Sequence, residues 1–445
     1  MVQCKQQWTQ RLVEPNVDKH NTDRVFLAPS RLHCIDHALT EQPQLPGKAR
    51  KGASTMLNLQ IVQARYGDSL ILQYGTADSP RYLLVDGGPA YVYERHLKPI
   101  LQTIHGEGGA LDLIVLSHVD DDHVNGLLDF LDDLLEKLDR PDSDLIAVGE
   151  LWHNTFSQTI GPDAKARFDR VMEHTESLRA VTVQSDRMNR SIAQGDKLTR
   201  RAIALGLPIN PSHRFGPKRM ITADESTEPI PLENLTLRVV GPTQANLEEL
   251  KEDWAAWLKK QEERVLTRDL QAAEEAARSL DDSVPNLSSI MLLAEADGRT
   301  LLLTGDGRSD HLIQGLEQAD RLDRDGRLHV DVLKVPHHGS ARNVSKAFFR
   351  TITADTYVLC ADGRHDNPDL STLTWMVEAA HEQDRHIDIF ATNETNSTRQ
   401  LIEDYPPCEY GYHLTMMAPG QHAVVLELAS GPTRARPGGR SEFQT

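Results

Sequence analysis

The sequence predicts an α+β fold, an αββα sandwich in which two mixed sheets are flanked by helices. Two β-rich stretches, residues 56–153 and 289–428, bracket a stretch of helical pattern. In both stretches, short apolar runs end on ligand-type residues such as Asp86, His118 and Asp306. Because α/β folds place their chemistry at the ends of strands, the same pattern predicts a site at one edge of the sandwich.

The first β-rich stretch contains five strand-like runs, at 57–63, 67–74, 82–85, 111–116 and 145–153. Helical patterns cover residues 92–104 and 127–135. After a strand at 235–240, the second stretch contains runs at 289–294, 300–304, 330–335, 355–359, 386–390, 413–417 and 422–428. The chain therefore supplies enough strands for two sheets.

Helical insertions are predicted at about 157–234 and 244–283. The first contains helix candidates at 164–178 and 190–205. The second alternates charge with Leu, Ala and Trp at helical spacing, which predicts a long solvated helix or a helical hairpin. Docking of a protein partner on 244–283 is the alternative interpretation.

The two ends differ in composition from the rest of the chain. Residues 1–55 lack periodicity and are predicted to form a poorly ordered extension, and the Gly/Pro/Arg-rich tail 431–445 is predicted to be disordered. The compact domain is expected at 56–430. Met56 opens its first strand, so Met56 is an alternative to Met1 as the translation start.

Composition limits the classes of function. The formal net charge of −18 argues against a broad electropositive surface for duplex nucleic acid, and leaves a local groove for a nucleic acid or nucleotide open. The four cysteines show no CxxC spacing, and we see neither a secretory leader nor an apolar run that could span a membrane. A cytoplasmic protein without a membrane partner is therefore expected.

The most specific feature is the segment Ser117-His-Val-Asp-Asp-Asp-His123, which contains five potential metal ligands and follows the strand at 111–116. One or two acidic residues there would be explained by helix capping and the helix dipole. Five crowded ligand-type side chains would repel one another or stay unsatisfied unless a cation organised them. The cluster therefore predicts a metal site.

Five motifs in order resemble those of the metallo-β-lactamase fold: Asp86-Gly-Gly, the cluster from His118 to His123, His153, Thr304-Gly-Asp306, and His337-His338-Gly-Ser. Four segments are most similar to the hydrolase domain of ComEC-type DNA-uptake proteins and their free-standing bacterial relatives: Gly67-Asp-Ser69, the Ser-His-x-Asp-x-Asp-His loop at 117–123, Asn286-Leu-Ser-Ser289, and Lys334-Val-Pro-His-His-Gly-Ser340. The resemblance covers residues 56–430 apart from the insertions.

The resemblance implies a centre of two divalent ions, Zn²⁺ or Mn²⁺. It implies that one ion is held by His118, Asp120 and His153. It implies that the other is held by Asp122, His123 and His337, and that Asp306 bridges the two. Asp120 stands where most of the superfamily has histidine, which makes the first site richer in oxygen and favours Mn²⁺ or mixed occupancy.

Several assignments have alternatives. The choice between His337 and His338 as the ligand is open; His337 is favoured, which leaves His338, with Asp122, as a candidate catalytic residue. Asp86 is expected to orient a ligand histidine, with simple turn chemistry as the alternative. A structural histidine beside Trp152 is the alternative for His153. His365 could replace the histidine of a His-Pro pair that ComEC-like domains often carry, or be a solvated loop residue.

The predicted activity is metal-dependent hydrolysis, in which a metal-bound hydroxide attacks phosphorus or a carbonyl carbon. A phosphodiesterase or nuclease is the first hypothesis, because the resemblance is to DNA-handling domains and two cations suit phosphate esters. The second is hydrolysis of a lactone, lactam or thioester. The third is an effector or interaction protein whose metal site is secondary.

Overall fold

The structure is a computed structural model. It describes residues 24–25, 55–138, 146–155, 183–226, 228–267 and 288–428, together with positions 159, 161, 163, 166 and 167. The predictions for most of 1–55, most of 164–178, the segment 268–283 and the tail 431–445 lie outside these residues.

The described strands form two mixed sheets. The strands are β1 (Arg24–Val25), β2 (Thr55–Val62), β3 (Leu70–Thr76), β4 (Ser79–Val85), β5 (Leu111–Val115), β6 (Val148–Trp152), β7 (Ile230–Leu232), β8 (Leu235–Gly241), β9 (Met291–Ala296), β10 (Arg299–Leu303), β11 (Leu328–Lys334), β12 (Ile352–Leu359), β13 (Ile387–Ala391), β14 (Tyr412–Met416) and β15 (Ala423–Glu427). The first sheet has the order β1-β15-β2-β3-β4-β5-β6, and the second has the order β14-β13-β12-β11-β10-β9-β8-β7.

The described helices connect these strands. They are Tyr93–Leu97, a turn of π-helical geometry that continues into α1 (Lys98–Gly106), then α2 (Asp121–Lys137), α3 (Val183–Ala204), α4 (Ser212–Phe215), α5 (Gln244–Thr267), α6 (Ser309–Gln318), α7 (Lys346–Thr351), α8 (Leu370–Glu382), α9 (Asn396–Asp404) and α10 (Pro407–Tyr410). Single 3-10 turns occupy Pro336–Gly339 and Arg364–Asp366. Among the described residues, no helix combines the length and apolarity needed to cross a membrane.

Alternating side chains build the layers of the sandwich. In β10, Leu301 and Leu303 face a central core made by both sheets, whereas Leu302 faces a second core under α6, α7 and α8. In β3, Leu72 faces the central core, whereas Ile71 joins a third core beneath α1 and α2. Helices therefore cover the outer face of each sheet, and the predicted α+β class with two mixed, helix-flanked sheets is confirmed.

Two short strands occupy segments predicted to be something else. Within the predicted insertion 157–234, Ile230–Leu232 pairs antiparallel with Leu235–Gly241 at the edge of the second sheet. It contains Pro231, which an edge strand tolerates, and it is too short to show periodicity. Within the predicted extension, Arg24–Val25 pairs in parallel with β15.

The topology brings several strand ends to one edge of the sandwich. In the first sheet β4, β5 and β6 are parallel neighbours, and in the second sheet β10, β11 and β12 are parallel neighbours. The two groups meet at their carboxyl ends, where Ile290 donates its backbone N–H to the Ser117 carbonyl at 2.8 Å. The predicted ligands follow these strands.

Candidate metal centre

A close packing of two glycines positions the first half of the site. At the start of α2, the backbone N–H of Gly87 donates to the His123 carbonyl at 2.8 Å, and that of Gly126 donates to the Gly88 carbonyl at 2.9 Å. A Cβ on Gly126 would lie 1.8 Å from the Gly87 carbonyl oxygen, so only glycine permits this approach. The contact brings His123 next to Asp86, in the turn after β4.

A left-handed turn after β11 positions the second half. His337 (φ 47°), His338 (φ 54°) and Gly339 (φ 87°) are consecutive left-handed residues, and the His337 N–H donates to the Gly305 carbonyl at 3.1 Å. The left-handed region costs a non-glycine residue about 1–3 kcal/mol, and such residues cluster at functional sites. The turn directs both imidazoles towards Asp306.

Asp306 lies at the centre of four histidine side chains, two at each carboxylate oxygen. Its Oδ2 lies 3.8 Å from Nε2 of His118 and 3.5 Å from Nε2 of His337. Its Oδ1 lies 3.4 Å from Nε2 of His123 and 3.5 Å from Nε2 of His338. The carboxylate thus has two sides, each with its own pair of imidazoles.

Each side also has a further carboxylate. Oδ2 of Asp120 lies 3.6 Å from Nε2 of His118, and Oδ2 of Asp122 lies 3.4 Å from Nε2 of His338. The ligand-type atoms of His118, His123 and Asp306 lie within 4.8 Å of one another, as do those of Asp122, His123 and His338. The described residues therefore include two overlapping groups that could hold metal ions.

The hydrogen bonds of His118 and His123 fix which nitrogen faces Asp306. Nδ1 of His123 donates to Oδ2 of Asp86 at 2.8 Å. The Ser117 hydroxyl donates to the same Asp86 oxygen at 2.7 Å, so its oxygen accepts from Nδ1 of His118 at 3.1 Å. Both Nδ1 atoms act as donors, which leaves both Nε2 atoms to hold a cation.

The same logic applies to His337 and His338. Nδ1 of His338 lies 2.8 Å from the Cys360 carbonyl, which can only accept. Nδ1 of His337 lies 2.7 Å from Oδ1 of Asn343, whose amide group donates to the Asp306 carbonyl at 2.9 Å. All four imidazoles thus present Nε2 to the same carboxylate, the arrangement that metal-ligating histidines adopt.

Orphaned atoms show that these residues fit metal ions. The buried Nε2 atoms of His118, His123 and His338, and Oδ1 of Asp306, have no hydrogen-bond partner among the described residues. Buried polar groups are nearly always paired, because leaving one unpaired costs about 1–3 kcal/mol. Four such atoms aimed at one place are accounted for if divalent cations bind between them.

The buried carboxylates of the centre stabilise positive charge near them. Burial favours neutral imidazole at His123 and His338, but the surrounding carboxylates, Asp306 above all, outweigh burial and raise the pKa of both histidines well above the ordinary value. Burial favours the neutral acid at Asp306, yet His338 and its neighbours hold the pKa of this carboxyl well below its usual range. A metal cation supplies the charge that protons would otherwise supply.

Charge balance favours bound cations at the centre. Five mostly buried carboxylates surround the centre: Asp68, Asp86, Asp120, Asp122 and Asp306. The ammonium of Lys334 contributes one positive charge among them. Four negative charges remain, which two divalent cations would neutralise, and uncompensated buried charge is costly.

The structure places His153 apart from these groups in its described contacts. His153 is fully buried after β6, its Nε2 lies 3.3 Å from the Thr199 hydroxyl, and its backbone N–H donates to Asn210 at 2.9 Å. Burial lowers its pKa to about 4. Beside it, Trp152 packs edge-on against Phe215. Its Nδ1 is buried and has no hydrogen-bond partner among the described residues. Both the structural alternative and the assignment of His153 to a metal ion therefore stay predictions.

Other predicted residues are placed as follows. Asp86 accepts hydrogen bonds from His123 and from both the backbone and the hydroxyl of Ser117, so it holds the ring of a candidate ligand. His365 lies exposed in a left-handed turn. Asp121, for which we expect no metal, accepts a hydrogen bond from Gln194 at 2.6 Å.

Sequence reasoning missed two residues of the centre. Asp68 was named only within a motif and given no role, but it is 1% exposed, and its Oδ1 lies 3.4 Å from Nδ1 of His338. Lys334 was noted within a motif and given no role, yet it is fully buried and contacts Asp68. A lysine within the apolar strand run at 330–335 is a signal that could have revealed it, because lysine is almost never buried unless paired.

Comparisons with known proteins find similarity among solved structures. No protein-family model and no curated protein matches the chain. Among solved structures, the chain is similar to the crystal structure of the metallo-β-lactamase fold protein YhfI from Bacillus subtilis, with 12% identity and a TM-score of 0.33. The match covers 83% of this chain and 99% of that one. At this identity and TM-score the likeness carries no argument about fold or activity.

Proposed function

We propose that the protein is a metal-dependent hydrolase with a two-ion centre that cleaves phosphodiester bonds. The observation that carries the proposal is the two-sided arrangement around Asp306, in which each carboxylate oxygen faces two Nε2 atoms that are oriented by hydrogen bonds. Two divalent ions bound there would lower the pKa of a bound water and neutralise charge that develops on a phosphoryl group.

The geometry supports a specific division of the ligands. We assign one ion to His118, Asp120 and His337, on the Oδ2 side of Asp306. We assign the other to Asp122, His123 and His338, on the Oδ1 side. This assignment replaces His153 by His337 in the first group and His337 by His338 in the second. As a proposed ligand, His338 is no longer needed as the catalytic acid.

Accessibility indicates where a substrate approaches. The side chains of His337 and Asp122 are 21% and 15% exposed, whereas those of His118 and His123 are fully buried. Substrate therefore reaches the centre from the side of His337 and Asp122. Asp122 stays the candidate for accepting or orienting a proton during the reaction.

The rim of the centre favours a substrate that carries a nucleobase over a small carbonyl compound. The exposed guanidinium of Arg364 lies over the ring of Tyr66, 4.1 Å from its centroid. Tyr66 lies close to the centre along the chain, because it is two residues before Asp68. The backbone N–H of Asp68 donates to the Asp122 carbonyl at 3.3 Å. The loop that carries Arg364 is joined to the histidine turn by a 3.0 Å bond from Asp369 to Gly339. Planar cationic and aromatic groups bind unpaired bases by stacking.

Substrate comparison tests the proposal. Purified protein loaded with Mn²⁺ or Zn²⁺ is expected to cleave an activated phosphodiester and single-stranded DNA. Removing a ligand from either side, as in His118→Ala or Asp122→Ala, is expected to lower the rate about a thousandfold, because one ion contributes several kcal/mol to the transition state. Metal content is measured in parallel on each variant, with Asp310→Asn as a surface control.

The other outcomes of this experiment identify the alternatives. Turnover of lactones or thioesters without cleavage of phosphodiesters would show that the second hypothesis is correct. Two bound ions without turnover of any of these substrates would favour an interaction protein, for which the prediction of a partner on 244–283 would then be examined. Fewer than two ions in protein saturated with metal would contradict the proposed centre itself.

Arg364→Ala tests the rim. We expect KM for a single-stranded oligonucleotide to rise about tenfold with a smaller change in kcat, because stacking on one base is worth about 1–3 kcal/mol. Activity on an activated diester without a base should be affected less. Steady-state kinetics on both substrates measure the difference. Arg399→Ala, at an exposed arginine paired with Glu394, is the matched control. Equal losses on both substrates would contradict a base-binding role.

A further inference from the structure

Lys334 is a fully buried lysine inside the candidate metal centre. It is the last residue of β11, and its Nζ lies 2.5 Å from Oδ2 of Asp68, 3.1 Å from the Gly305 carbonyl oxygen and 3.9 Å from Oδ1 of Asp306. Burying an ammonium costs several kcal/mol unless it is paired and hydrogen-bonded. Its partners are therefore Gly305, the proposed bridging residue Asp306, and the buried carboxylate of Asp68.

These partners belong to a group that could itself hold a metal ion. Ligand-type atoms of Asp68, Asp306 and His338 lie within 4.8 Å of one another, and all three residues are buried. Oδ1 of Asp68 has no hydrogen-bond partner among the described residues, although it is buried. A carboxylate with an unused buried oxygen beside a second carboxylate is an arrangement that attracts a cation.

The ammonium already occupies the cation position of this group. It contacts both carboxylates of the set and donates to a backbone carbonyl, and oxygen atoms of these types also bind divalent metals. An ammonium carries one charge and does not polarise water as a divalent ion does. Asp68 is thereby kept as a partner of Lys334.

We infer that Lys334 is a built-in cation that limits the centre to two divalent ions, by excluding a third ion from the position between Asp68, Asp306 and the Gly305 carbonyl and by keeping Asp306 available to bridge. The inference rests on the proposed two-ion function. Lys334 acts through Asp68 and Asp306 and is therefore a positioning residue. Its charge also completes the neutral count of five carboxylates, one ammonium and two divalent cations.

Metal counting on two variants tests the inference. Lys334→Ala removes the ammonium and leaves space lined by Asp68, the Gly305 carbonyl and Asp306. We expect the number of Mn²⁺ ions bound per chain at saturation to rise from two to three. The double variant D68N/K334A removes both the carboxylate charge and the ammonium charge, and the number of bound Mn²⁺ ions should return to two. Calorimetric titration and elemental analysis after gel filtration measure the number without reference to activity.

The double variant also separates positioning from folding. We expect its two ions to bind about 10- to 100-fold more weakly than those of the wild type, as is usual when groups that orient metal ligands are lost. Lys346→Ala is the matched control, because this lysine pairs with Glu378 and Glu382 on the surface. It should bind two ions with wild-type affinity.

Each outcome of these metal-binding measurements supports or overturns the inference about Lys334. Two ions of wild-type affinity in Lys334→Ala would overturn the inference and leave the proposed function intact. Fewer than two ions in the wild type would overturn the proposed function. If Lys334→Ala unfolds and D68N/K334A folds, the affinity of the double variant decides: two ions bound about 10- to 100-fold more weakly support the inference, and two ions of wild-type affinity overturn it, because a purely structural ion pair would also give that result. If both variants unfold, the pair is a structural element and the inference fails.

Discussion

Replacing Asp306 with asparagine is expected to leave at most one bound ion and to lower hydrolysis about a thousandfold or more. Both oxygens of the carboxylate face imidazole nitrogens, so the proposed bridge needs both as acceptors. An asparagine keeps one oxygen, carries no charge and places an amide donor where the second ion would bind. An ion that contributes about 4 kcal/mol to the transition state accounts for a factor of about a thousand.

The effect is measured as metal content, as kcat/KM on an activated phosphodiester, and as the change in melting temperature on adding a chelator. In the wild type, a chelator should lower the melting temperature, because ions that bind only the folded state stabilise it. In Asp306→Asn that change should be much smaller. Asp310→Asn, at an exposed side chain paired with Arg308 in α6, is the control. Two ions of wild-type affinity in Asp306→Asn would contradict the bridge.

The sandwich could be predicted from the sequence because its strands carry a strong local signal. The runs at 57–63, 111–116 and 300–304 overlap strands of the structure. The first alternates apolar and polar residues, and the other two are short, mostly apolar and followed within two residues by His118 or Asp306. Three-residue strands such as Ile230–Leu232 carry no such signal, since their pairing depends on a neighbouring strand. Local pattern therefore predicts the sheets better than their edges.

The candidate ligands could be predicted where they are dense along the chain. The segment from His118 to His123 supplies four of the residues that the structure gathers around Asp306. The division of ligands between two ions could not be predicted in this way. It depends on the backbone of His337 and His338, whose left-handed conformations set the directions of the two rings, and no residue type in that motif specifies them.

Contacts between segments that are distant along the chain could not be predicted from the sequence. Asp68 lies in the connection between β2 and β3 of the first sheet, and Lys334 is the last residue of β11 in the second sheet. The two side chains meet because this connection and the end of β11 lie at the same edge of the sandwich. The contact between His153 and Thr199 could not be predicted either, because Thr199 belongs to α3, a helix that is distant from His153 along the chain. A motif order locates residues near a site, but the partner of each side chain is set by how the layers pack.

His337→Ala and His338→Ala are each expected to lose one ion, and not the same one. On the proposed division, His337 shares its ion with His118, whereas His338 shares its ion with His123. Each variant should retain the other ion and lose about a thousandfold in rate. Electron paramagnetic resonance of Mn²⁺-loaded protein measures this, since a pair of neighbouring ions gives a coupled spectrum and a single ion gives a six-line spectrum.

Pairs of substitutions reveal which ligands share an ion. His337→Ala combined with His118→Ala should cost little more than either alone, because the second change removes a ligand of an ion already lost. His337→Ala combined with His123→Ala should remove both ions. The opposite pattern would show that His337 belongs with His123, as the family resemblance implies.

His153→Ala completes this test, because the two assignments predict different results for it. If His153 is a buried structural histidine beside Trp152, the variant keeps both ions and the coupled Mn²⁺ spectrum, and it loses about 2–4 kcal/mol in the free energy of unfolding from the cavity left in the core. If His153 is a ligand, the variant loses one ion. A coupled spectrum in His153→Ala would show that His153 is not a ligand, and the paired substitutions of His337 with His118 or His123 then show which ion His337 binds.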